Sequence, residues 1–213
     1  MPRPRTKTDE EIILGTIAAI NRVGPDKLTL ADVAREVGLA PATLIQRFGT
    51  KRKLLLALAE MGANGAAEDF RMMRQKYGSP LATLRGMADC YSAMWPTPQA
   101  VAYGIAFLYK DMTDPDFQHL SQKKARVTDA AMRVLFEDAM RAGELIRCDT
   151  KHLSRAFHAM CGGLMLNWAL TREGKLKAWL EEGIEVMLRP YVSKRGPAKR
   201  KPRGKKARRR FYS

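Results

Sequence analysis

Thr43, Gln46 and Arg47 stand close together in a short stretch, and Lys51, Arg52 and Lys53 follow within one helical turn. These residue types suit recognition of a polyanion with readable edges. A glutamine amide can pair with adenine through two hydrogen bonds, and a guanidinium can do the same with guanine or hold a phosphate. A threonine contributes a methyl or a hydroxyl to a base edge or a phosphate. Three cations at the start of a helix oppose the helix dipole, yet free N–H groups in a first turn bind anions. A local rule broken in this way often marks a functional site.

The elements that must position these residues are two short helices. Leu30, Val33, Ala34 and Val37 form the inner face of one, and Leu44 and Phe48 lie one turn apart on the other. Gly38-Leu39-Ala40 joins them, and Gly38 can take the positive φ of a tight helix–helix turn. Val33, Val37, Leu39, Leu44 and Phe48 make a small core. Pro41, Ala42, Thr43, Ile45, Gln46 and Arg47 are then the outward residues of the second helix, the arrangement of a helix-turn-helix that enters the major groove. Two short helices and a glycine turn also occur in many helical proteins without any nucleic-acid role.

The charge distribution favours the polyanion. The net charge of the 213-residue chain is +16. Residues 193–213 hold 11 Lys and Arg and no acid, residues 1–53 carry +4, and residues 54–192 carry only +1. The last segment has too little apolar residue to fold and reads as a disordered basic arm. Three cysteines without a CxxC argue against a disulfide framework and fit a reducing cytoplasm. No apolar core follows the N-terminus as in a secretory signal. The longest uncharged candidate span, Ala156 to Leu170, is too short to cross a bilayer. These features predict a cytoplasmic protein that does not enter membranes.

The fold class is all-α, with about nine helices and no alternating strand pattern. The first opens with a capping box at Thr8-x-x-Glu11 and places Ile13, Ile17 and Ile20 on one face. The fourth starts at Thr50 and weakens at Gly62 and Gly65. Five more follow: from Ser79 to Trp95, from Gln99 to Asp111, from Pro115 to Gly143, from Asp149 or Thr150, and from Glu173 to Tyr191. The second of these five is apolar nearly all round, which predicts burial.

Residues 10–58 resemble the tetracycline-repressor (TetR) family of bacterial transcription regulators. Thr29, Val33-Ala34, Gly38, Phe48 and Lys51 match its motif, while Ile45 replaces the tyrosine usual at that place and Arg47 a common histidine. The resemblance implies a helix-turn-helix domain over 1–53 and a ligand-binding and dimerisation domain over 54–192, followed by the basic tail over 193–213. It implies a ligand-responsive repressor that releases a palindromic DNA operator on binding a small effector, and a homodimer. Thr29, Pro41, Ala42, Thr43, Ile45, Gln46, Arg47 and Lys51 are the expected DNA contacts.

In the larger domain Met87, Tyr91, Met94, Trp95, Tyr103, Phe107, Met160 and Trp168 are either ordinary core or the lining of an apolar or aromatic effector pocket. Ala159 and Gly163, with the row Leu176, Leu180, Ile184 and Met187, are either a dimer interface or close packing inside one subunit. His158 and Cys161 lie one turn apart without further ligands nearby, so no metal site is expected, and no cofactor or catalytic motif is found. Two other function classes stay open: an architectural protein that coats DNA through its tail, and an all-helical enzyme.

Overall fold

The computed structural model describes residues 7–194, so most of the basic arm lies outside the described residues. The described chain forms α1 (Asp9–Val23), α2 (Leu30–Val37), α3 (Pro41–Phe48), α4 (Lys51–Tyr77), α5 (Pro80–Met94), α6 (Pro98–Thr113), α7 (Pro115–Arg141), α8 (Thr150–Thr171) and α9 (Leu176–Leu188). No strand occurs among the described residues. One isolated antiparallel bridge, Leu145 with Val192, pins the end of α9 to the turn after α7.

Local chemistry sets the helix starts. Thr8, Thr29, Thr50, Ser79, Thr97, Asp114 and Asp149 each accept a hydrogen bond from a first-turn N–H. Thr8 with Glu11 and Thr29 with Asp32 close reciprocal capping boxes. Proline opens α3, α5, α6 and α7, where its missing N–H has no intrahelical partner to lose.

Two cores result. The head core gathers Ile12, Ile13, Ala19, Ile20, Leu28, Val33, Ala34, Leu44, Leu54 and Leu55, and is closed by Phe117 from α7. The body core is built on Leu84, Met87, Met132, Leu135, Phe136, Phe157, Leu180, Ile184 and Leu188. Phe136 and Phe157 meet edge to face with centroids 6.1 Å apart. Because Leu54 and Leu55 belong to the head core, the domain boundary expected at 53/54 falls inside α4.

Three sequence expectations change. The buried face of α1 is Ile12, Ile13, Thr16, Ala19 and Ile20, while Ile17 is exposed. Thr16 can be buried because its hydroxyl donates to the Ile12 carbonyl at 2.9 Å, which satisfies the polar group in place. Gly62 and Gly65 do not interrupt α4, whose packing on α7 outweighs their low helix propensity. α6 is not buried all round: Ile105, Leu108, Tyr109 and Met112 lie on one exposed stripe. Its covered side meets α7, α8 and α1, and no described element covers the other.

Gly15 has a steric role that composition does not reveal. A Cβ there would run into Cγ1 of Val37 on α2, and a valine side chain is stiff about χ1. Gly65, by contrast, faces open space. Gly65→Ala should therefore raise stability by up to about 1 kcal/mol. Gly15→Ala should lower it by about 1–2 kcal/mol, because overpacking exceeds the propensity gain. Thermal denaturation of the two variants beside the parent reads both signs.

Candidate nucleic-acid interface

The turn between α2 and α3 is a left-handed glycine cap. Gly38 sits at φ 72° and ψ 35°, and the Leu39 N–H donates to the Ala34 carbonyl at 2.8 Å, closing the helix end. A Cβ on Gly38 would meet nothing within 4 Å, so the residue is set by the backbone angle and not by crowding. The turn lays α3 across α2 with Leu44 fully buried and Phe48 half-buried beneath it.

That packing decides what α3 presents outward. Pro41, Ala42, Ile45 and Gln46 are exposed, and Thr43 is half-buried at the edge. The start of α3 has no side-chain cap and no acid in its first turn. The first turn of α4 likewise holds no acid and carries Lys51, Arg52 and Lys53. By contrast α1 opens on Asp9, Glu10 and Glu11, and α2 carries Asp32. Of the four helix starts in the head, those of α3 and α4 hold no acid in their first turn, the arrangement that leaves free N–H groups open to an anion.

Three of the expected contacts are already engaged. Arg47 does not point outward freely: its Nε donates to Asp9 Oδ1 at 2.7 Å, and its Nη1 to the Lys7 carbonyl. It ties the end of α3 to the start of α1, a partner from another element that α3 alone does not reveal. Thr29 caps α2, and its hydroxyl donates to Asp32 Oδ2 at 2.6 Å. The same bond is the first cause holding the Asp32 carboxyl below its ordinary range. Lys51 donates from Nζ to the Asp26 carbonyl at 3.0 Å. Burial and then the nearby Lys110 charge push its pKa down, while Asp26 pulls the other way.

The family model for the tetR family of bacterial regulatory proteins matches residues 12–58, which span this whole unit. Residues 12–58 are a TetR-family helix-turn-helix unit, and the chain is a DNA-binding transcriptional regulator. A curated relative, the HTH-type transcriptional regulator BetI 2 of Chromohalobacter salexigens, is 27% identical over 168 residues, covering 78% of this chain and 79% of its own. A TetR transcription regulator from Haloarcula marismortui shares the fold at a TM-score of 0.70 and 16% identity, over 87% of this chain and 98% of that one. FadR of Bacillus subtilis, solved with stearoyl-CoA, matches at 0.66 and 12% identity, over 84% and 97%.

The eight expected pocket residues divide between the two cores and the surface. Met87 and Trp168 are buried in the body core, with Tyr91, Trp95 and Met160 packed against it. Tyr103 and Phe107 pack on the head core instead, and Met94 is exposed. The split arises because α6 runs from the body to the head. Burial raises the Tyr91 phenol above its ordinary range and lifts the Cys161 thiol to about 12, so neither ionises near neutrality. Among the described residues no group of three or more His, Cys, Asp or Glu gathers as for a metal ion. No described helix is long and apolar enough to cross a membrane.

The expected dimer residues also divide. Leu176, Leu180 and Ile184 are buried inside the subunit and cannot face a partner; Met187 is half-buried. Gly183 supplies the close approach within the subunit, where a Cβ would run into Leu164 of α8. Gly162 and Gly163 face open space, and Ala159 is exposed. Leu166 and Leu170, absent from the sequence reading, are exposed large apolar residues on α8, as Val186 is on α9. The i, i+4, i+7, i+11 spacing of Ala159, Gly163, Leu166 and Leu170 carried that signal.

Gln46 and Arg47 should therefore behave differently although they are adjacent. Gln46→Ala should change the base preference of duplexes selected from a random pool, by about 1–3 kcal/mol at one base pair. Arg47→Ala should leave that preference unchanged and lower thermal stability by at most about 1 kcal/mol.

Proposed function

We propose that the protein is a cytoplasmic, homodimeric repressor that holds a palindromic operator and releases it when a small apolar or aromatic effector binds in the body. The observation that carries this reading is the two-sided division of α8. Its inner face, through Phe157, Cys161 and Trp168, is part of the body core, while its outer face runs Ala159, Gly162, Gly163, Leu166 and Leu170 along one stripe. Small residues at the near end allow close helix approach, and exposed leucines at the other give apolar area to bury. A twofold pairing on this stripe gives two α3 faces at one fixed spacing, which is what successive major grooves require.

Thr43, Ile45 and Gln46, beside Pro41 and Ala42, would read base edges, with Thr29 ordering the start of α2. Lys51 would exchange its bond to the Asp26 carbonyl for a phosphate. Met87, Tyr91, Trp95, Met160 and Trp168 would separate around the effector. The FadR neighbour of the same fold, solved with stearoyl-CoA, supports a body able to take an apolar ligand. Effector binding favours the state with which it makes better contacts, and it weakens DNA binding only if that state spaces the heads wrongly.

Gly163→Trp should turn a dimer into monomers or aggregates in light scattering at micromolar concentration; a monomeric parent protein would sink the dimer reading. On a selected duplex, Lys51→Ala should weaken binding to all sequences alike and lower the log–log salt slope by about 1. Deleting 195–213 should flatten that slope by several units on operator and random duplex alike, and leave the preference for the operator intact. Loss of that preference on deletion would instead favour an architectural protein driven by its tail.

A further inference from the structure

A depression of about 400 Å³ lies at the seam between head and body, lined by Lys51, Arg52 and Leu55 of α4, Lys110 of α6, Asp114, and Phe117 of α7. Its charges are not balanced among themselves. Arg52 spends its guanidinium on Asp114, at 2.8 and 2.9 Å, and on Asp116 at 2.9 Å. Lys51 is hydrogen-bonded to a neutral backbone carbonyl. Within the described residues the Lys110 ammonium forms no hydrogen bond or ion pair.

We propose that this seam binds a small organic anion, its acid group between the Lys51 and Lys110 ammonium groups and its apolar body against Leu55 and Phe117. The volume falls in the range of small-molecule sites. Both cations line the depression and neither forms an ion pair among the described residues: Lys51 is pushed down by burial and by Lys110, and the Asp26 charge offsets this only as the smallest of the three causes. An anion placed between them relieves that repulsion. Leu55 and Phe117, each 3% exposed, give the floor an apolar character that a bare inorganic ion would not use.

The site joins the two parts of the chain. Lys51 and Leu55 move with the head, and Lys110 moves with α6, so an anion that holds both ammonium groups favours one head–body angle. It also occupies Lys51, the residue proposed above to meet DNA phosphate, so the same anion opposes DNA binding. The site itself does not depend on the operator reading and is tested without DNA.

The test titrates full-length protein with 1-anilinonaphthalene-8-sulfonate, an apolar anion whose fluorescence rises on binding. N-phenyl-1-naphthylamine, which lacks the sulfonate, serves as the neutral counterpart. Lys51→Met and Lys110→Met, which keep the apolar stem and remove the charge, should each weaken binding of the sulfonate about fivefold. Lys53→Met, a cation in the same first turn but outside the depression, should leave it unchanged, and no variant should alter binding of the neutral probe. Equal loss with Lys53→Met would mean a general charge field and overturn the site. Loss with Lys110→Met alone would place the probe on the exposed face of α6, and parallel loss of both probes would mean disturbed packing; either result also overturns it.

Discussion

The structure depends on α4 being one continuous helix that belongs to two cores. Leu54 and Leu55 at its start are part of the head, and Phe70 and Met73 further along pack against the body. A helix of 27 residues held at both ends by apolar burial acts as a lever between them. The head core is not closed by its own elements alone. It borrows Phe117 from α7 and rests on Tyr103 and Phe107 of α6. Arg52 fastens the seam with hydrogen bonds to Asp114 and Asp116 and by lying 5.8 Å over the Phe117 ring. Asp114 also caps α7, so the same carboxylate orders a helix start and holds the head. A change in the relative placement of α6 and α7 therefore cannot leave α4 where it was.

Electrostatics follow the same division. In the head, acids sit where they stabilise helix starts that take no part in the outward face: Asp9, Glu10 and Glu11 on α1, and Asp32 on α2. Asp9 also binds Arg47 and Asp32 holds Thr29, so each acid has a structural task. The first turns of α3 and α4 hold no acid of their own, and the carboxylates that reach the start of α4, Asp114 and Asp116, bind Arg52. In the body, ion pairs such as Arg85 with Glu185 and Lys177 with Asp89 join α5 to α9 at the surface, and contribute little compared with the apolar contacts beneath them.

α8 and α9 show how glycine position separates two kinds of close packing. Gly183 is where α9 presses on Leu164, so it serves the subunit. Gly162 and Gly163 meet nothing in the subunit and lie on a stripe with Ala159, Leu166 and Leu170. Each lowers helix propensity by about 1 kcal/mol relative to alanine with no return inside the chain. A partner helix lying close on that stripe would give the return.

The sequence by itself determined the helix starts at Thr8, Thr29, Thr50, Ser79 and Asp114, the head unit and the fold class, but not the starts of α6 behind Thr97 or of α9 at Leu176. What it determined rests on local chemistry: a capping side chain meets an N–H three residues on, and Gly38 takes an angle that other residues avoid. The exposure of Pro41, Ala42, Ile45 and Gln46 on α3 was legible as well, because Leu44 and Phe48 fix its inner side once the turn is known. What only the tertiary structure decided is which of several apolar faces meets which neighbour. Thr16 could be buried on α1 because its hydroxyl is satisfied within the helix, and Ile17 was left outside. The row Leu176, Leu180, Ile184 reads equally as an interface or a core, and went to the core because α5 and α8 cover it. Arg47 and Arg52 found partners 38 and 62 residues away in sequence. Periodicity states that a face is apolar and spacing states what can cap a helix, but the partner of a face or of a long cation is set by packing among elements far apart in the chain.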